Sequence, residues 1–194
     1  NAIQNGEAIF SCSISFQKRE KGLSHQIQMP DILGPEKLKN DSELRKEMKT
    51  KIPKEYRPMW LREREIETRQ VEPVDMLNAK KLPPYRSTWM KPTGKLPTNE
   101  RIHQALLLYV SDMGLLGAAV NPHEVNFMSK KFQSASLDHI MWFHGKVNFN
   151  NWVLHHMHSP ISSNARGFSR GSMYTKSGKL IASTAQEGLM RVWD

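Results

Sequence analysis

The stretch TNERIHQALLLYVSDMGLLGAAV, residues 98–120, decides how the rest of the chain can fold. Thr98 and Asn99 are N-cap residue types, and Glu100 places a carboxylate in the first turn, where the helix dipole favours it. Ile102, Ala105 with Leu106, Tyr109, Met113 and Leu116 recur at helical spacing. Leu107, Leu108 and Val110 fill other sides. A helix apolar nearly all round is predicted to be buried. Gly114 and Gly117 are expected to loosen or end it. Such a helix needs other structure to cover it.

The segments that follow can supply that cover. Four strand-like stretches come in quick succession: SASLDHIMWFHG, NWVLHHMHS, ARGFSRGSMYTK and KLIASTAQEGLMRVW. The last two are joined through Lys176-Ser177-Gly178, a hairpin turn. One buried helix followed by four antiparallel strands is an α+β pattern. The simplest way to bury that helix is to wrap the sheet round it. Residues 98–194 are therefore expected to form one domain.

Upstream the character differs. Residues 1–17, NAIQNGEAIFSCSISFQ, read as a β-hairpin on the Asn5-Gly6 turn. Residues 18–97 lack sustained periodicity and read as a charged, proline-punctuated connector. Within it, Ser42 to about Thr50 reads as one short helix and IETRQV as one strand. Trp60, Tyr85 and Trp89 are expected to pin the connector to the domain. The two ends also resemble each other. NGEAIFSCSIS lies on SGKLIASTAQE with Gly6 over Gly178, Ile9 over Ile181 and Ile14 over Gln186. This predicts a duplicated unit whose first copy is mostly missing and is represented by its terminal hairpin. The chain does not begin with Met and reads as a fragment.

Composition narrows the function. The net charge is +9, which favours a polyanion partner. Yet residues 18–70 interleave 14 Lys/Arg with 10 Asp/Glu, without the one-sign runs of nucleic-acid arms. Nucleic acid is not the expected partner, whereas a small phosphate-bearing ligand fits a basic surface. The single cysteine, Cys12, excludes a disulfide framework and points to a reducing compartment. No apolar run reaches the roughly 18 residues of a membrane span, and no signal peptide opens the chain.

A few residues stand out chemically. Asp112 lies one turn from Leu108, Tyr109, Leu115 and Leu116. A carboxylate there is costly to ionise unless hydrogen-bonded, so it reads either as a functional acid or as a helix-end cap. Ser136 opens a strand without a Gly-x-Ser-x-Gly elbow, so a strained nucleophile is not indicated. Gln186 interrupts an apolar strand, where its amide must be paired. His139, His144, His155, His156 and His158 lack the cysteines or carboxylates that would complete a metal site. His156 and His158 share a strand face, with His155 on the other. Arg166 and Arg170 share a strand face and read either as phosphate donors or as a solvated edge.

Taken together, YVSDMGLLG, SLDHIMWFH, NNWVLHHMHSP and ARGFSRGSMYTKSGKLIASTAQEGLMR resemble the acyl-CoA thioesterase II family. It includes bacterial medium- and long-chain enzymes and the peroxisomal acyl-CoA thioesterases of eukaryotes. The likeness is close over residues 98–192. The resemblance implies a double hot-dog fold, each unit a long helix wrapped by an antiparallel sheet. It implies hydrolysis of fatty acyl-CoA to free fatty acid and CoA by an activated water, without cofactor, metal or covalent intermediate. The family's catalytic aspartate, in YxSD, falls on Asp112. Its Ser/Thr, two residues before the DH pair, falls on Ser136. Its glutamine, in QEG, falls on Gln186. Arg166 and Arg170 become candidates for the CoA phosphates. A backbone N–H near Gly114–Leu116 is a candidate oxyanion donor, and Leu106–Leu116 with Trp142 and Phe143 a candidate acyl channel. A homo-oligomer is expected, in the peroxisome matrix or the cytoplasm. The terminal Arg191-Val192-Trp193-Asp194 lacks a Ser-Lys-Leu-type peroxisomal signal. The rival reading is a non-catalytic acyl-CoA-binding or assembly module, inactive for want of its first unit.

Overall fold

The computed structural model describes residues 1–193 apart from 76, 77, 126 and 128. Asp194, the last residue of the expected domain, lies outside the described residues. The Asn5-Gly6 turn forms as its sequence dictates: both residues take positive φ, 51° and 84°, the geometry of a tight hairpin turn. It joins β1 (Ala2–Gln4) to β2 (Glu7–Phe10), and both strands are exposed throughout. Among the described residues they form a two-stranded sheet of their own. Strand structure ends at Phe10, so Ile14 lies outside any strand. Its likeness to Gln186 therefore stops at the turn and the first strand residues.

The connector is built by local rules and then anchored. α1 (Asp41–Glu47) starts with a capping box, in which Asn40 accepts from the Ser42 amide and Glu43 accepts from the Asn40 amide. The short α2 (Arg57–Trp60) follows. Then the segment enters the main sheet. β3 (Ile66–Gln70), at IETRQV, pairs with β4 (Tyr85–Pro92), which pairs with β7 (Val153–Ser163). The reading of 18–97 as connector alone thus needs correction, since β4 lies within the sheet. It escapes detection because both its faces are covered: Met90 packs with Leu107, Val110 and Val153, and Trp89 packs with Leu154 and Tyr174 on the other side. A strand buried on both faces loses its alternation, and Pro83, Pro84 and Pro92 bracket it with loop signals. Trp89 pins the connector through Nε1, which donates to Leu33 O at 2.9 Å. Tyr85 is exposed, and Trp60 is half-buried.

The decisive stretch forms two helices. α3 (Glu100–Ser111) is capped by Asn99, whose side chain accepts from the Arg101 amide. α4 (Leu115–Val120) restarts after Gly114, whose φ of 82° breaks the spiral. Residues 100–120 are long and apolar enough to cross a membrane by length and composition alone, but this break interrupts them and the α4 half is packed into the sheet. Gly117 sits inside α4, against the Arg86 guanidinium. The all-round burial predicted for the helix holds only in part. His103, Leu107, Val110 and Ser111 are buried, while Ile102, Leu108 and Tyr109 are exposed.

The sheet is antiparallel in the order β3-β4-β7-β8-β9-β5, with β5 (Phe132–Ser136), β8 (Arg166–Thr175) and β9 (Leu180–Val192). β6 (Ile140–Phe143) pairs with β9 beyond β5. Thus SASLDHIMWFHG makes two strands on one partner. The α3–α4 face carries His155, Met157, Thr184, Gln186 and Gly188 by register. A Cβ on Gly167 would meet Ala119, and one on Gly188 would meet Leu116. These two glycines, paired across β8 and β9, let α4 lie directly on the sheet.

Candidate active site

Three elements meet at one place. Asp112 is the C-cap of α3, and its backbone carbonyl accepts from the Leu115 amide across the Gly114 turn. Ser136 closes β5, directly opposite Gly188 on β9. Gln186 lies two residues along β9 on the same face and is 1% exposed. The Gln186 amide Nε2 donates to Asp112 Oδ1 and stands 3.1 Å from Ser136 Oγ. Ser136 Oγ donates to the same Asp112 oxygen at 3.3 Å, a long bond of the kind catalytic groups often show without substrate. The amide orientation follows from the charge. Turned over, Gln186 would press its oxygen against a carboxylate. Its Oε1 is buried without a partner.

The trio singled out from sequence is therefore one hydrogen-bonded cluster. Asp112 ends a helix, as the cap reading has it, and its carboxylate also receives the buried amide.

His139 is the residue that sequence reasoning missed. Its Nδ1 lies 3.4 Å from Gln186 Nε2, and its Nε2 lies 2.8 Å from Ser111 Oγ. Ser136 and His139 are three apart, so a regular strand would point them to opposite faces. A bulge brings them to one side: the amides of Leu137 and Asp138 both donate to Glu187 O. Asp138 Oδ1 fixes the bulge from the other direction by accepting from the Glu187 amide at 2.7 Å. The DH pair is the signal that could have found it, with Asp138 holding backbone and His139 facing the cluster. Burial holds the His139 imidazole below its ordinary value, opposed by the nearby Asp112 and Asp138 carboxylates.

Behind the cluster lies a fully buried histidine. His155 is fully buried on β7, with Nε2 3.4 Å from Thr184 Oγ1. Burial pushes its pKa down to about 3, helped by the neighbouring His139 and His156. It is a neutral packing group. His156 and His158 take the opposite face, as strand alternation predicts.

Arg166 and Arg170 are not brought to the cluster. By register they share a face with Glu187 and Phe168, opposite to Gln186. Arg166 pairs with Glu187 at 3.1 Å, and Arg170 lies 5.4 Å from the Phe168 ring centroid. Trp142 and Phe143, named for the acyl channel, are both exposed on β6. Among the described residues, no three His, Cys, Asp or Glu side chains come together as a metal would require.

Residues 59–189 match the family model described as acyl-CoA thioesterase. The chain is 35% identical over 190 residues to acyl-CoA thioesterase 2 of Haemophilus influenzae, covering 98% of this chain and 66% of that protein. Among solved structures it resembles an acyl-CoA thioesterase II from Mycobacterium marinum, with TM-score 0.67, 28% identity, and coverage of 91% of this chain and 60% of that one. A protein of unknown function with a hot-dog fold from Alicyclobacillus acidocaldarius superposes with TM-score 0.62 at 14% identity over 90% of this chain and 59% of that one, which shows the fold alone. The chain thus spans just under two thirds of the length of the Haemophilus relative.

Proposed function

Because the chain belongs to the acyl-CoA thioesterase family, we propose that it hydrolyses fatty acyl-CoA to free fatty acid and CoA by attack of an activated water. The observation that carries this is the convergence of Asp112, Ser136 and Gln186 on one another from three separate elements. Asp112 Oδ1 is occupied by Ser136 and Gln186, so the other carboxylate oxygen faces the water and takes its proton. Ser136 and Gln186 hold carboxylate and water in attack geometry. As the water oxygen bonds to the thioester carbon, the carbonyl oxygen gains charge. Backbone N–H groups at the Gly114–Leu116 turn are the donors placed to receive it. The C–S bond then breaks and the CoA thiolate recovers the proton.

The acyl chain runs along the apolar side chains of α3 and β6. Arg166 and Arg170, on the opposite face of β8, draw the CoA phosphates by charge. The exposed Ile102, Leu108, Tyr109 and Trp142 support association with a second copy, since apolar surface of this kind favours burial. By resemblance the compartment is the peroxisome matrix or the cytoplasm.

The test is release of free CoA from palmitoyl-CoA, followed with a thiol-reactive dye in the intact protein. Asp112→Asn, Ser136→Ala and Gln186→Ala are each expected to lower turnover by at least about tenfold, the loss of a group acting in the transition state. Unchanged turnover in all three would remove the site assignment. Binding of acyl-CoA without release would replace hydrolysis by a binding module.

A further inference from the structure

One hydroxyl settles the chemistry of the imidazole beside the trio. Ser111 Oγ is buried and lies 2.7 Å from Leu108 O. That carbonyl can only accept, so the single Ser111 hydroxyl proton is committed to it. Toward His139 Nε2, 2.8 Å away, Ser111 can then only accept. The imidazole must carry its proton on Nε2, which leaves a lone pair on Nδ1. That lone pair faces Gln186 Nε2. The amide nitrogen has two hydrogens and three acceptors before it: Asp112 Oδ1, Ser136 Oγ and His139 Nδ1. All three are compatible with the nitrogen, and none favours the amide oxygen.

We propose that His139 is a positioning residue for the hydrolytic reaction: locked by Ser111 in its Nε2–H tautomer, it presents an acceptor that fixes which way round the Gln186 amide lies. This rests on the hydrolase reading above. The neighbouring residues divide the work. Ser111 sets the tautomer while Asp112 receives the amide, and Asp138 holds the bulge while His139 faces the site.

Protonation reverses the lock. An imidazolium carries N–H on both nitrogens, so Nδ1 would press a donor against the amide donor. Gln186 would then offer Oε1 to the imidazolium and lose Asp112. The titratable and charged groups facing His139 are Asp112 at the end of α3, Asp138 beside it in the bulge, and His155 on β7. The two carboxylates favour the imidazolium, whereas burial opposes it, and His155, itself neutral, adds no charge. Burial is the larger influence and keeps the ring neutral near pH 7. Activity is therefore lost on the acid side, below the ordinary histidine range.

The experiment has two readouts. In the intact protein, His139→Leu is expected to lower kcat for palmitoyl-CoA about 100-fold with KM little changed, the cost of misplacing a reacting group. His139→Asn, whose side-chain oxygen takes the place of Nδ1 without titrating, is expected to recover most of that loss and to move the acid limb of the pH profile to lower pH. Nitrogen NMR of the histidine-labelled chain reads the tautomer without turnover. Wild type should show protonated Nε2 and bare Nδ1, with the Nδ1 signal shifting in Gln186→Ala. An Nδ1–H tautomer, wild-type kcat in His139→Leu, or equal losses in the Leu and Asn variants would overturn the proposal. If the wild-type protein released no CoA while the tautomer was as expected, the hydrolase reading would fail and the positioning geometry would stand.

Discussion

Two hairpins in this molecule share a left-handed turn glycine and little else. In the first, Asn5-Gly6 turns β1 into β2; in the second, Lys176-Ser177-Gly178 turns β8 into β9. Gly6 and Gly178 have nearly the same φ, 84° and 85°. The first hairpin is exposed from end to end. The second has neighbours on both edges, helices on one face, and the Gln26 amide bridging its tip to Gly178 O and the Leu180 amide. Turn chemistry writes a hairpin, but it does not supply stability, since a two-stranded ribbon alone is marginal in water. Only the hairpin that is covered can hold a glutamine buried and aimed.

The comparison is broken most forcefully inside the covered hairpin. A Cβ at Gly171 would lie 2.2 Å from His155 Nε2 and 2.4 Å from Thr184 Oγ1. Gly171→Val is expected to cost about 3 kcal/mol through overpacking, read as a fall in the urea midpoint. No site in the exposed hairpin should approach that loss.

Acid tests the same burial. His155 titrates near the ordinary 6.5 when unfolded but near about 3 when folded. As pH falls, the unfolded chain therefore binds the proton first. The stability linked to this group is full above the unfolded value and drains between 6.5 and about 3. Urea unfolding should show a loss of about 3 kcal/mol by about pH 4.5 from this group, and His155→Gln should flatten that slope.

The sharpest comparison is also the gentlest. Gly6→Ala and Gly178→Ala put the same methyl on the same strained backbone, at an intrinsic cost of about 1 kcal/mol. Neither would meet a clash. Global unfolding should register the change at Gly178 and be indifferent at Gly6. An equal response would show that residues 1–10 fold as one unit with the main sheet.

What was legible from sequence follows the same division. The Asn5-Gly6 turn, the Asn99 cap and the long strands β7, β8 and β9 announce themselves through local chemistry and alternation. β4 does not, because Trp89 and Met90 are buried on opposite faces and its polar residues, Arg86 and Thr88 on one face and Ser87 and Lys91 on the other, mark no single outside. The helix read from 98–120 is right in start and composition, but its outer side is open and Gly114 divides it. Asp112, Ser136 and Gln186 were legible as a set only through resemblance, since nothing in their spacing requires them to meet. His139 was hidden by the bulge at Leu137 and Asp138, which cancels the two-residue period that a reader counts. Arg166 and Arg170 do share a face, as spacing predicts. Which face it is depends on the register between β8 and β9, and that is a long-range fact.

The open side of α3 has a consequence for handling the protein. Ile102, Leu108 and Tyr109, with Ile140, Trp142 and Phe143 on β6, are exposed on a chain carrying +9. Like-charge repulsion between molecules then opposes the association that these side chains favour. That repulsion shortens with ionic strength, to a reach of about 3 Å at 1 M salt, whereas apolar attraction does not weaken. The isolated chain should therefore be most disperse in dilute buffer and grow in light-scattering mass as salt is raised, the reverse of a protein held together by ion pairs.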